Sequence, residues 1–215
     1  MTGKKPIKND AKALLQRAHS LENESQTKTL YRDWAQTYDK TMIDGLGYLS
    51  PNKGAQILNR LLPDLAATIL DVGTGTGLVG KELSSYGYSQ IDGIDYSADM
   101  LKVARKTGHY QRLFEADLNQ KLDLDDSLYD GLICIGIFTH GHVGANCLDE
   151  LFRILKPEGI FVTAIRKDYW HSAGFAEKIE QLMAERKIVS VIRQEDSNYT
   201  SSEQPESWFM GLQKL

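Results

Sequence analysis

Ile69-Leu70-Asp71-Val72-Gly73-Thr74-Gly75-Thr76-Gly77-Leu78 is the stretch that decides how the chain folds. An apolar run that ends in an acid and opens into three alternating glycines predicts a strand, a tight turn and the start of a helix. Glycine lacks a Cβ, so the backbone there bends sharply and can approach a ligand closely. The following helix turns its unpaired N–H groups back towards whatever sits in the turn. Together they form a cradle of nucleotide size. The dinucleotide fingerprint G-x-G-x-x-G uses a third glycine for close helix–strand packing. Counted from Gly73 and Gly75, that position is Leu78, and the glycine comes one residue early at Gly77. Asp71, two residues ahead of the turn, suits a cationic or amine-bearing ligand better than a pyrophosphate, because like charges repel at short range.

Working outward, apolar runs and helical stripes alternate. Strands are predicted at 67–73, 90–95, 111–116, 131–136 and 160–165. Between them, Ser97 can cap a helix with Asp99 in its first turn and Met100, Leu101 and Ala104 on one face. Leu148, Leu151, Phe152 and Leu155 form an amphipathic stripe, and Phe175, Ile179, Leu182 and Met183 repeat it with Ser172 as the expected cap. Such alternation predicts a parallel sheet covered on both faces. The end differs. The runs 188–194 and 207–213 have only a polar stretch between them, so they must pair antiparallel or leave the sheet. Lys156-Pro157-Glu158-Gly159 predicts a type I turn, with proline second and glycine fourth. The first ~60 residues read as helical by periodicity. Tyr31, Trp34, Ala35, Tyr38 and Met42 share one face, and a second helix is expected over 53–62, ending before Pro63. These helices would pack on the sheet or close over the ligand as a lid.

At 215 residues the chain is expected to form a single structural domain. A domain of that size buries about 70% of its unfolded surface. The net charge of −4 argues against nucleic acid as the main partner. The basic residues Lys4, Lys5, Lys8, Lys12 and Arg17 read as a solvated terminal face. Cys134 and Cys147 form no C-x-x-C pair and no zinc spacing, and the start Met1-Thr2-Gly3-Lys4-Lys5 has no leader pattern. A reducing cytoplasm is therefore the expected compartment. The longest apolar run, near 131–138, is too short to span a bilayer.

Open α/β sheets bind ligands beyond the carboxyl ends of their strands. Each predicted strand ends in residues suited to that place. The second, Ile91-Asp92-Gly93-Ile94-Asp95-Tyr96-Ser97, ends in Asp95, about 20 residues past the turn, where a carboxylate can accept from two ribose hydroxyls. The third ends at Ala116-Asp117-Leu118, where Asp117 could also open a turn with Asn119. Met100 and Ile135 are candidate apolar walls, although both also sit on core-like faces. The fourth delivers Cys134-Ile135-Gly136-Ile137-Phe138-Thr139-His140-Gly141-His142-Val143-Gly144. Gly136 would permit close approach. His140 and His142 titrate near neutral pH and could take a proton from an attacking oxygen or nitrogen. They could equally be backbone-bonded loop histidines. No nearby cysteine or acid completes a metal site around them, so no metal is expected.

The run Asp71–Gly77 resembles the first motif of class I S-adenosylmethionine-dependent methyltransferases. With Tyr31-Arg32-Asp33-Trp34-Ala35-Gln36-Thr37-Tyr38-Asp39 and Phe138-Thr139-His140-Gly141-His142-Val143, it resembles the methyltransferase-like subgroup named for the Williams–Beuren region. The likeness runs from about Tyr31 to Ile165. It implies an α/β fold: a seven-stranded, doubly wound, Rossmann-like sheet, mostly parallel and ending in an antiparallel hairpin. Residues 1–62 would form an N-terminal helical lid and 63–215 the core. The implied ligand is S-adenosylmethionine, with S-adenosylhomocysteine as product and a small molecule as methyl acceptor. The implied site takes Asp71, Gly73, Thr74, Gly75, Thr76 and Gly77 for the methionine part, Asp95 and Tyr96 for the ribose, and Ala116, Asp117 and Leu118 for the adenine. Met100, Ile135 and Gly136 would complete its walls, and Tyr31, Trp34 and Tyr38 would face the sulfonium. His140 and His142 are the candidate catalytic groups. The acceptor and the oligomeric state stay open. A cofactor-binding protein without catalysis is one alternative. A nicotinamide oxidoreductase is another, against which Leu78 and the antiparallel ending speak.

Overall fold

The computed structural model describes residues 13–14, 17, 24–139, 143–195 and 207–215. After α1 (Glu24–Trp34) and a π-helical segment (Lys40–Leu46) comes α2 (Ser50–Leu61). The sheet region then runs β1 (Ile69–Val72), α3 (Leu78–Tyr86), β2 (Ile91–Asp95), α4 (Ala98–Thr107), β3 (Arg112–Glu115) and β4 (Tyr129–Phe138). It continues with α5 (Cys147–Ile154), β5 (Leu155–Arg166), α6 (Lys167–Ser172), α7 (Phe175–Ala184), β6 (Ile188–Glu195) and β7 (Ser207–Lys214). All seven strands fall within a few residues of the runs expected from sequence, except that β4 and β5 are longer.

The strands join one sheet in the order β3-β2-β1-β4-β5-β7-β6. β1 pairs parallel with both β2 and β4, so the order reverses beside β1. β7 runs antiparallel to β5 and to β6. Successive side chains of a strand point to opposite faces. Leu70, Val72, Leu132 and Phe161 therefore meet α5 and α7 on one side, through Leu148, Leu151, Phe175 and Ile179. Ile69, Ile91, Ile133 and Val162 meet α2 and α3 on the other, through Ala55, Leu58, Val79 and Leu83. Among the described residues no helix is long and apolar enough to cross a membrane.

Four local expectations are corrected. The aromatic face at 31–42 is not one helix. α1 stops at Trp34, a turn follows, and the chain re-enters a wider helical segment that Gly47 ends at φ +66°. Threonine hydroxyls take up carbonyls through this stretch, Thr37 Oγ1 donating to Trp34 O and Thr41 Oγ1 to Thr37 O. Ser172 does not cap α7. Its hydroxyl donates back to Asp168 O within α6, and Gly174 begins α7 at φ +76°. The turn Lys156–Gly159 is not type I, because Glu158 takes a left-handed φ of +63°, as the third residue of a type II turn must. α2 starts earlier than expected, with Pro51 in its first turn, where a missing N–H costs nothing.

Candidate functional site

A cavity opens past the carboxyl ends of β1 to β4, beside the strand-order reversal, where ligands bind in open α/β sheets. The glycine turn forms its floor. Gly73 and Thr74 donate their N–H groups to Ile94 O at 2.8 and 2.9 Å, which ties the turn to β2. Gly73 sits at φ +76°, and a Cβ there would lie 2.1 Å from Ile137 Cγ1. Only glycine lets the turn pass under β4 so closely.

The end of β2 supplies Asp95. Its two carboxylate oxygens accept from Gly75 N and from Ser97 N, each at 2.7 Å. With the Tyr96 N–H also bonded to the carboxylate, lone-pair capacity remains on it for a ligand hydroxyl. Burial raises the Asp95 pKa, while the N–H bonds of Ser97, Gly75 and Tyr96 act against that rise. Ser97 also caps α4, accepting from Met100 N at 3.3 Å, as its position before the apolar stripe implied. At the end of β3, Asp117 Oδ1 accepts from the backbone and side-chain nitrogens of Asn119 at 2.8 and 3.0 Å, so it does open a turn while lining the cavity. The end of β4 contributes Ile135 and Gly136, the latter at φ +86°.

The cavity thus brings together Tyr31, Tyr38, Gly73, Thr74, Gly75, Thr76, Asp95, Tyr96, Met100, Ala116, Asp117, Leu118, Ile135 and Gly136. Thr76 Oγ1 donates to Asp39 Oδ1, which fastens the N-terminal segment onto the turn.

Three of the expected residues lie off its wall. Gly77 is the left-handed N-cap of α3, at φ +101°. Trp34 is buried with Leu30, Met42 and Leu46. Its ring lies 6.1 Å from Tyr31 in a stacked pair and 4.8 Å from Tyr38 edge-on, so it backs the two tyrosines that do face the cavity. Asp71 is fully buried beneath the turn. Its Oδ2 accepts from the Tyr110 hydroxyl at 2.7 Å, and its Oδ1 has no hydrogen-bond partner. Burial pushes its pKa up to about 7, with the Tyr110 bond opposing and the Asp95 charge adding to the rise. His140 and His142 lie outside the described residues.

Sequence reasoning missed Tyr48, Pro51, Ile137 and Val143, which also line the cavity. Ile137 was two residues past Ile135 on an obvious strand; the tyrosine and proline carried no signal of a site. Among the described residues no group of three His, Cys, Asp or Glu could hold a metal ion. Both cysteines are buried and free, and burial drives the Cys134 thiol far above its usual range and Cys147 up to about 12. Neither is poised as a nucleophile.

Residues 70–163 match the family model of the Methyltransferase domain. Over 160 residues the chain is 34% identical to methyltransferase-like protein 27 of Homo sapiens, covering 73% of this chain and 64% of that protein. The chain therefore spans less than two thirds of that relative's length. Among solved structures, the [4+2]-cyclase SpnF superposes with a TM-score of 0.69 at 15% identity, covering 90% of this chain and 97% of SpnF. The 1,6-didemethyltoxoflavin-N1-methyltransferase of Burkholderia thailandensis, solved with 1,6-didemethyltoxoflavin and S-adenosylhomocysteine, superposes with a TM-score of 0.64 at 17% identity, covering 100% of this chain and 93% of that one. These two likenesses concern the fold alone. The domain match and the relative in sequence show that the chain is similar to the class of S-adenosylmethionine-dependent methyltransferases. S-adenosylmethionine is the methyl donor of that class, and S-adenosylhomocysteine is what remains after transfer.

Proposed function

We propose that the chain transfers a methyl group from S-adenosylmethionine to a small acceptor with an apolar or aromatic body. The observation that carries this is the lining of the cavity. Its only described carboxylates, Asp95 and Asp117, stand at the ends of β2 and β3, and Tyr31, Tyr38, Tyr48, Ile135, Ile137 and Val143 give it an apolar and aromatic wall. An amine acceptor would be better served by acids beyond those two. Asp95 would take the ribose hydroxyls, Asp117 and Leu118 the adenine, and the glycine turn the methionine part. Tyr31 and Tyr38 would hold the sulfonium, a contact worth about 0.5–2 kcal/mol.

The chemistry is an in-line displacement. The acceptor's lone pair attacks the methyl carbon, the carbon–sulfur bond breaks, and its electrons return to sulfur. Aligning the two partners can supply ~7–11 kcal/mol of the acceleration. His140 or His142 would take the proton that an oxygen or nitrogen acceptor releases. Residues 1–62 would act as the lid over 63–215, and the fastening of Asp39 to Thr76 supports that role for their described part. Two free, buried cysteines support a reducing, cytoplasmic setting.

Calorimetric titration with S-adenosylhomocysteine tests the donor site. Asp95→Ala should weaken binding roughly ten- to a hundredfold, the size of lost hydrogen bonds to a charged group. Unchanged affinity would defeat the ribose assignment. Transfer is tested by S-adenosylhomocysteine release across a panel of phenols, aromatic heterocycles and proteins. Tight donor binding without release across that panel would favour a cofactor-binding partner protein instead.

A further inference from the structure

We propose that Tyr110 is a positioning residue for the donor site: its hydroxyl ties the carboxylate at the end of β1 to the first turn of α3 and so holds the glycine turn between them in shape. This inference rests on the donor-site assignment above. Tyr110 stands in the short connection between α4 and β3 and does not line the cavity. Its hydroxyl donates to Asp71 Oδ2 at 2.7 Å and accepts from Gly80 N at 3.0 Å.

Gly80 N is one of the N–H groups at a helix start that has no partner within the helix. The residue that would ordinarily cap it, Gly77, has no side chain. Tyr110 therefore acts as a cap supplied from another part of the chain. Its ring also explains Gly80 and stands close to Gly77, whose φ of +101° by itself calls for glycine. A Cβ on Gly80 would lie 2.3 Å from the tyrosine Cζ, and one on Gly77 would lie 3.2 Å from its Cε2.

The turn is thus held at both ends. Thr74 Oγ1 donates to Asp71 O at 3.0 Å, and Gly77 N donates to Thr74 O at 3.0 Å. Asp71 is the one buried carboxylate in this arrangement with an unpartnered oxygen among the described residues. The titratable groups that face it are Tyr110 from the α4–β3 connection, Asp95 from the end of β2 and Cys134 from β4. Burial and the neighbouring Asp71 hold the Tyr110 phenol well above its usual range, so it stays a donor. Both S-adenosylmethionine and S-adenosylhomocysteine carry a cationic amine, so an ionised Asp71 beneath the turn favours them. Binding should tighten as pH rises through the Asp71 pKa of about 7. The Tyr110 bond stabilises the ionised carboxylate, so removing it moves that midpoint up.

The test is calorimetric binding of S-adenosylhomocysteine on both sides of neutral pH to the full chain and its variants. Tyr110→Phe should bind about tenfold more weakly, with its pH midpoint displaced upward. Replacing Tyr110 by 3-fluorotyrosine, a stronger donor of nearly the same shape, should displace the midpoint downward. Asp71→Asn should flatten the dependence, and Tyr110→Phe added to it should leave it flat. A Tyr110→Phe protein with unchanged affinity and midpoint overturns the proposal. So does a fall in affinity of equal size at every pH, because a merely structural role predicts that. Should Tyr110→Phe fail to fold, the fluorotyrosine protein decides, and an unmoved midpoint there overturns it. A wild-type chain that binds neither compound overturns the donor-site assignment itself, whereas normal wild-type binding with unmoved midpoints overturns the role of Tyr110 alone.

Discussion

Asp71 shows how a single buried group sets a pH dependence for the fold as well as for the site. Its pKa rises from 3.8 to about 7, with burial the largest cause. Below the unfolded value the group is neutral in both states and costs nothing. As pH rises towards about 7 the unfolded chain gives up this proton and the folded one keeps it, so relative stability falls, and the full cost is present above that value. Asp71→Asn removes the cost. Urea melts should find the variant more stable by roughly 4 kcal/mol above the folded pKa, with the gap closing as pH falls towards 3.8. A gap that widens at low pH would refute the assignment. Gly73 is the opposite kind of residue, needed for what it lacks. Gly73→Ala would place a Cβ 2.1 Å from Ile137 Cγ1 at a φ of +76°. It should cost roughly 2–4 kcal/mol of stability and abolish S-adenosylhomocysteine binding, as read by thermal melting and calorimetry.

At the level of elements, the turn into β5 carries a strain that a sequence pattern hides. Proline second suits type I and type II turns alike, and glycine fourth favours type I. The distinction lies in the third residue, and there Glu158 holds a φ of +63°. A left-handed residue with a Cβ costs about 1–2 kcal/mol, and glycine returns some of this through its freer unfolded chain. Glu158→Gly should therefore stabilise the protein by roughly 0.5–1 kcal/mol in a chemical denaturation curve, and a loss of stability would show that the turn is otherwise constrained. The aromatic segment teaches a related lesson. Tyr31, Trp34 and Tyr38 were legible as one face, and they do cluster. The break after Trp34 was not legible, because hydroxyl-to-carbonyl bonds from Thr37 and Thr41 leave the apolar spacing unaltered.

Across the whole molecule, the site exists because strand order reverses beside β1 and leaves a crevice beyond β1 and β4. The N-terminal segment contributes Tyr31, Tyr38 and Tyr48 to the lining of that crevice. It is anchored by the Leu30, Trp34, Met42 and Leu46 cluster and by Asp39 on Thr76. A ligand held between this segment and the sheet should stabilise both. At a hundredfold excess over its Kd, S-adenosylhomocysteine should add about 2.7 kcal/mol. Limited proteolysis within 24–48 should slow in step with that gain. A thermal shift without such protection would show that the segment is no lid.

The sequence by itself determined the seven strands, the glycine turn, the acids that end β2 and β3 and the antiparallel finish, because hydrophobic period, glycine spacing and the lack of a crossover helix are local properties. It also pointed to Asp95 and Asp117 at the ends of β2 and β3, where both line the cavity while holding local backbone N–H groups. Tertiary structure alone decided which neighbours complete them. Tyr48 reaches the wall from the N-terminal segment, Trp34 turns away from it, and Tyr110 comes from 30 residues beyond Gly80 to cap its N–H. None of these leaves a trace in sequence order, because an aromatic side chain reads alike whether it fills a core, lines a cavity or holds a hydrogen bond, and only the packing of distant segments settles which.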